Sequence, residues 1–173
     1  DALKKGMPNL ERHIQNIKKF GLEVIVAINH FITDTDKEVK IIQEKCAKLG
    51  VKASLCTHWS NGGSGTKDLA NNVVELCKKS DTSKFKYLYS DQTPILEKVE
   101  KVAKEIYNAK DIEVDEKIKE QVKKIEKAGF GRFPVCIAKT QYSFSTDPKL
   151  KGAPSGHTLT IREVRLSSGA EFV

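Results

Sequence analysis

Apolar and polar positions fall along this chain in blocks. Val24-Ile25-Val26-Ala27-Ile28 is an unbroken apolar run that stops in Asn29-His30-Phe31-Ile32-Thr33-Asp34-Thr35-Asp36. A second run, Val51 to Leu55, stops in Cys56-Thr57-His58-Trp59-Ser60-Asn61-Gly62-Gly63-Ser64-Gly65. Each has the form of a buried strand that gives way, through a polar loop, to a helix. Helical spacing fills the rest of this half. Leu10, Ile14 and Ile17 share one face of a helix that Pro8 starts and Gly21 stops. Strand 22–29 follows. Thr35 and Glu38 form a capping box for a helix with the stripe Val39, Ile42, Cys46 and Leu49, and Gly50 is its stop signal. After strand 51–56, Thr66 caps a helix carrying Leu69, Val73, Leu76 and Cys77.

The order strand, loop, helix, strand, loop, helix predicts a parallel sheet with crossover connections. Only two strands are clear before Ser80. Two strands do not make a stable parallel sheet, so the remainder is expected from sequence outside this chain. The pattern then changes. Phe85 to Tyr89 reads as a short strand, and Thr93-Pro94 starts a helix with Ile95, Val99, Val102 and Ile106 on one face. Asp115 caps another with Ile118, Val122 and Ile125. Gly129 to Pro134 is a turn, Val135 to Ala138 a strand, and 146–156 a loop rich in Pro, Gly, Asp and Ser. Strands are expected at 157–164 and from 169 on. The fold class expected is α/β: part of a doubly wound parallel sheet, similar to P-loop nucleotidases, followed by a smaller α+β subdomain. A boundary near 108–114 divides it into 1–110 and 111–173.

Composition narrows the classes. The chain has 173 residues, 39% apolar and 31% charged, as expected of a globular protein. No apolar run approaches the roughly 20 residues of a membrane helix, and the first residues lack the apolar core of a signal peptide. The chain lacks an initiator Met and ends on Glu171-Phe172-Val173, which reads like the start of a strand, so an excised piece of a longer protein is expected. The net charge is +7, but Lys117, Lys119, Lys123, Lys124 and Lys127 alternate with Glu116, Glu120 and Glu126 as on a solvated helix face. No aromatics interleave with these lysines, so nucleic-acid binding is the less favoured reading and phosphate-bearing small ligands remain favoured. Cys46, Cys56, Cys77 and Cys136 have no zinc spacing and read as buried thiols of a reducing compartment.

Candidate chemistry gathers where strands end, the usual ligand position in open α/β sheets. Phe31 and Trp59 occupy successive post-strand loops and could hold a flat heterocycle between them; stacking adds roughly 0.5–1.5 kcal/mol beyond area burial. The simpler reading, a ring covering a core edge, is preferred for Phe31 alone, the functional one for Trp59. Asn29 stands in strand-Asn-x-Phe-x-Thr-Asp, similar to the base-reading loop of P-loop nucleotidases; the plainer reading is an Asn that satisfies backbone groups at a turn. Gly62-Gly63-Ser64-Gly65 lacks a P-loop ending and reads as a flexible loop allowing close backbone approach. Lys139 could meet a carboxylate or phosphate, with a solvated loop the equal alternative. His13, His30, His58 and His157 form no arrangement with Asp or Ser that makes a general base.

Several segments together resemble formate–tetrahydrofolate ligase. They are Asn9 to Asn16, Val26 to Asp36, Trp59 to Gly65, Ile106 to Ala109, Gly129-Phe130-Gly131, Pro134 to Ser145 and Ile161 to Arg165. They run through the whole chain in family order. The resemblance implies an ATP-dependent ligase that makes 10-formyltetrahydrofolate from formate, ATP and tetrahydrofolate through formyl phosphate. It implies magnesium and a monovalent cation, a cytoplasmic or organellar location, cytoplasmic being the expectation here, and commonly a homotetramer. It associates Phe31 and Trp59 with stacking on the pterin and Leu55 with an apolar wall of that pocket, while Asn29 or Trp59 is placed to serve the adenine. Ile32, Ser60 and Asn61 depart from the usual family residues. The P-loop and the catalytic groups for formyl phosphate are expected upstream, so this piece is expected to be inactive alone and to form the C-terminal part of the nucleotide domain plus part of the next. The alternative is a non-catalytic folate- or purine-binding module.

Overall fold

The computed structural model describes residues 1–138 and 140–173. Lys139, a sequence candidate for an anion contact, lies outside the described residues. The chain forms two compact units, 1–86 and 87–173.

In the first unit, α1 spans Ala2–Lys19, six residues upstream of the predicted start, with Pro8 inside it. The stripe beginning at Leu10 continues back through Met7 and Leu3 at helical spacing, and Met7 is buried. Pro8 removes one helical hydrogen bond. Pro8 and Lys4, whose carbonyl loses its partner, are both exposed, where solvent can take over. Burial of Met7 and Ile14, each worth roughly 1.5–3 kcal/mol, offsets the loss. Gly21 ends the helix at φ +75, and a Cβ there would lie 2.0 Å from the Lys84 carbonyl oxygen.

Strands β1 (Ile25–Asn29) and β2 (Lys52–Cys56) are parallel, from Ile25 beside Lys52 to Asn29 beside Cys56. Both are shorter than predicted at their N-terminal ends; Leu22 is exposed, while Val51 is buried and its N–H closes on the Cys46 carbonyl. Between them lies α2 (Asp36–Lys48), opened by the predicted Thr35–Glu38 capping box. Val26 and Ala53 face the core of α1 and α2, built on Ile14, Val24, Cys46 and Val51. The opposite face carries α4 (Lys67–Lys79): its Asn72 donates to buried Ser54 at 2.8 Å and accepts from Lys52. Helices thus cover both faces of a parallel pair. Phe85 to Tyr89 is not a strand. Thr82–Lys84 is a short 3-10 turn, Phe85 stacks on Phe20 at 6.4 Å, and Lys86 N–H bonds the Phe20 carbonyl. The segment has β-type residues but no strand beside it among the described residues.

The second unit contains α5 (Ile95–Glu105), β3 (Asp111–Val114), α6 (Glu116–Ile125) and β4 (Thr158–Ile161). The β3–β4 pair is parallel, with Ile112 beside Leu159 and Val114 beside Ile161. The stretch expected to hold a boundary is therefore partly a strand. The compact units divide at 86/87 rather than at 110/111, because Val102, Ala103, Ile106 and Tyr107 share a core with Ile112, Phe144 and Leu159. Asp115 caps α6 as expected, its carboxylate accepting from Ile118 N–H at 2.8 Å. Val135 to Ala138 is extended but forms no strand: Val135 N–H donates to the Tyr89 hydroxyl at 3.0 Å, Cys136 N–H donates to the Val173 carbonyl, and Val173 N–H donates to the carbonyl of the preceding Pro134. Beyond 168 the expected strand is a 3-10 turn, Ser168–Ala170, with a single antiparallel bridge from Ser167 to Phe172. Among the described residues no helix is long and apolar enough to cross a membrane.

Candidate functional site

Both aromatic candidates leave the carboxyl ends of β1 and β2. Asn29 and Cys56 are in register as the last residues of the pair, and His30 N–H extends the pairing to the Cys56 carbonyl at 3.0 Å. The two following connections therefore start side by side.

The first connection is a closed turn. Phe31 N–H donates to the Asp34 carboxylate at 2.8 Å, and Asp34 N–H returns a bond to the Phe31 carbonyl at 3.0 Å. Thr35 and Glu38 lock the next step: Thr35 N–H and Oγ1 donate to the Glu38 carboxylate at 3.0 and 2.8 Å. These bonds from Thr35 hold the Glu38 carboxyl below its usual pKa.

The second connection is helical rather than an open loop. Residues His58–Asn61 form one helical turn, α3, and Gly62–Thr66 a 3-10 segment leading into α4. Ser60 and Asn61 N–H groups close on the Thr57 carbonyl, and Asn61 Nδ2 donates to Thr57 Oγ1 at 3.0 Å. Thr66 sits at the predicted cap position of α4, but its hydroxyl donates back to the Gly63 carbonyl at 3.0 Å. The glycine stretch does allow the close backbone approach read from it, at Gly65 against Thr57.

The two connections bring Phe31 and Trp59 together, with ring centroids 5.9 Å apart and planes tilted by 53°. Phe31 is 42% and Trp59 69% exposed, so neither ring serves chiefly as core. The pair touches itself. Stacked rings need centroid separations of about 4.5 Å or more, and two such contacts do not fit in 5.9 Å. A flat guest enters between them only after one ring swings out, and Trp59 has the greater exposure. Leu55, half-buried on β2 beside Ile28, is on the face of Ala53. Asn29 is exposed and lines a different concavity of about 320 Å³, with Leu3 and Leu10 of α1, Val39 and Ile42 of α2, and Asp34 and Glu38. Neither aromatic lines that cavity. The sequence candidates therefore occupy two neighbouring features of the β1 end, the ring pair and the Asn29 cavity.

No group of three His, Cys, Asp or Glu side chains among the described residues could hold a metal ion. The donor set implied for magnesium or a monovalent cation does not assemble from such groups here. Several basic residues pair with acids, Lys45 with Glu11 and Lys119 with Glu116 at 2.6 Å each. The supports of the site were missed by sequence reasoning. Asp34 is a turn-former three residues after Phe31, and that spacing was its only signal. Gly65 carries no local sign of what it touches.

A family model described as formate–tetrahydrofolate ligase matches residues 1–173. The chain is 63% identical to the formate–tetrahydrofolate ligase of Pelagibacter ubique over 173 residues, all of this chain and 31% of the relative. It is 57% identical to that of Hyphomonas neptunium and 54% identical to that of Roseobacter denitrificans, again over all of this chain and 31% of each relative. The chain spans about a third of the length of these curated relatives.

Proposed function

Because this chain belongs to the formate–tetrahydrofolate ligase family, we propose that it is a section of an ATP-dependent ligase joining formate to tetrahydrofolate, and that its first unit carries the pterin-stacking element. In that reaction formate attacks the terminal phosphate of ATP, giving formyl phosphate and ADP. N10 of tetrahydrofolate then attacks the formyl carbon, expelling phosphate and losing its proton. The groups that perform these steps belong to parts of the parent beyond this chain, which acts alone as no catalyst.

The observation that carries the proposal is the Phe31–Trp59 contact at the ends of two adjacent parallel strands. The backbones that carry both rings are held, Phe31 by Asp34 and Trp59 within its one-turn helix, so a guest is admitted by side-chain rotation, for which the more exposed Trp59 has the greater room. A pterin that replaces the ring–ring contact gains two faces of stacking. Leu55, one residue before the end of β2, is read as an apolar wall of the same pocket. Asn29, with donor and acceptor on one amide, faces the nucleotide side of the β1 end. Helices on both faces of β1 and β2 support reading the first unit as part of a doubly wound sheet, continued by the parent, within the nucleotide- and folate-binding domain. The second unit belongs to a smaller α+β part. The parent is read as a cytoplasmic homotetramer that also uses magnesium and a monovalent cation.

The test is Trp59→Ala in the full-length enzyme. The KM for tetrahydrofolate rises about tenfold, equivalent to about 1.4 kcal/mol. Formyl phosphate formation, trapped with hydroxylamine as formohydroxamate, stays near the parent rate. An unchanged folate KM rules the assignment out.

A further inference from the structure

Resting on the reading of Trp59 as a folate-stacking ring, we infer that Gly65 is a positioning residue for that ring, holding the turn that carries it. The argument is one of space. A Cβ on Gly65 would lie 2.6 Å from the Thr57 carbonyl carbon, 2.7 Å from the His58 nitrogen and 2.7 Å from Thr57 Oγ1. Two of these three atoms are backbone, which cannot rotate away. Gly65 is not among the left-handed glycines of the chain, so its need for glycine comes from contact and not from φ. Its neighbours differ. Gly62 has φ +56 with nothing near its missing Cβ, and Gly63 has neither a positive φ nor a neighbour there.

The contact is fastened by a hydrogen bond, Thr57 N–H to the Gly65 carbonyl at 3.0 Å. Thr57 is also the residue on which α3 hangs: its carbonyl receives the Ser60 and Asn61 N–H groups, and its hydroxyl receives Asn61 Nδ2. Trp59 sits two residues beyond Thr57, inside that turn. The 3-10 segment leading into α4 thus clamps the start of α3 through one glycine, and the backbone position from which Trp59 projects follows from the clamp. Any side chain at 65 pushes Thr57 and His58 off their places and shifts the backbone from which Trp59 projects, so that its ring no longer closes on a guest stacked against Phe31.

Gly65→Ala in the full-length enzyme tests this, beside Gly63→Ala, Trp59→Ala and the double variant Trp59→Ala/Gly65→Ala. Gly65→Ala raises the folate KM about five- to tenfold, with formyl phosphate formation retained, and Gly63→Ala leaves both unchanged. The double variant has the folate KM of Trp59→Ala alone, because the clamp acts only through the ring. A Gly65→Ala enzyme with normal folate KM overturns the inference, as does an effect that adds in full to that of Trp59→Ala. If Gly65→Ala does not fold, Asn61→Ala decides: it loosens the same turn from an exposed position, with a two- to threefold rise in folate KM expected, on the order of 0.5 kcal/mol, and no further rise in the Trp59→Ala background. A normal KM for Asn61→Ala then overturns it. If Trp59→Ala itself leaves folate KM unchanged, the folate reading fails and this inference falls with it; if Trp59→Ala is impaired and Gly65→Ala is not, only this inference fails.

Discussion

The Phe31 amide donates to the Asp34 carboxylate at 2.8 Å while the Asp34 amide bonds back to the Phe31 carbonyl, so each residue fixes the other's backbone. Phe31 is more than two-fifths exposed and needs such a tie to hold a definite place. Replacing Asp34 with Ala removes a charge-assisted bond and leaves the turn to the weaker backbone bond. The expected result is a two- to fourfold rise in folate KM in the full-length enzyme, with ATP use unchanged; steady-state kinetics against each substrate checks it, on the scale of about 1.4 kcal/mol per tenfold.

The capping box makes α2 sensitive to acid. The folded Glu38 carboxyl has a lowered pKa because the Thr35 backbone and hydroxyl bond its charged form. Its contribution to stability is therefore present above the unfolded carboxylate pKa and is lost as pH falls through the lowered folded value. Thr35→Ala removes the hydroxyl's share of that contribution, leaving the backbone bond in place, and removes the N-cap itself, whose loss costs about 1 kcal/mol in helices generally. Hydrogen exchange of residues 36–48 in the full-length protein should be faster in the variant at neutral pH, and the gap should narrow on acidification without closing, because the Thr35 hydroxyl still accepts from the Glu38 N–H in the parent. Equal exchange at pH 7 would show the box to be ornamental.

Lys98 is wholly buried, and its ammonium donates to the Gly131 and Phe133 carbonyls at 3.0 and 2.9 Å. Desolvation lowers its pKa, opposed by the charges of Asp91 and Glu126. Lys98→Met keeps the stem and leaves both carbonyls without this donor. Each such loss costs about 1–3 kcal/mol, and the 129–134 turn should become the fastest-exchanging part of the second unit. Since the folded pKa lies below the unfolded one, stability of the parent protein attributable to Lys98 rises with pH between those two values, and the Met variant lacks that rise. Urea midpoints measured across that alkaline window check the sign.

Asn72 joins α4 to β2 by accepting from Lys52 and donating to buried Ser54. Asn72→Leu leaves Ser54 without that donor inside the sheet face. We expect a loss of about 1–2 kcal/mol, read as faster exchange of Lys52–Cys56 and not as a change in folate KM. A kinetic effect would mean that α4 steers the site as well as supporting it.

What the sequence determined here is what short range can determine. The Thr35–Glu38 box and the Asp115 cap were legible because a cap joins residues three apart, whatever the rest of the chain does. The two strands that end at Asn29 and Cys56, and the aromatic in each following connection, were legible from apolar runs and their polar stops. Tertiary structure decided the rest. Pro8 did not start a helix, because burying Met7 outweighed one lost bond. Phe85 to Tyr89 and Val135 to Ala138 have strand composition without a partner strand, whereas Asp111–Val114, short and unremarked, became a strand because β4 lies beside it. The 5.9 Å between Phe31 and Trp59 and the empty space required at Gly65 belong to residues that meet only when β1 and β2 pair in register or the 3-10 segment before α4 folds back on Thr57. Periodicity and caps are set by neighbours in the chain; ladders, ring contacts and steric clearances are set by neighbours in space, and no local pattern records them.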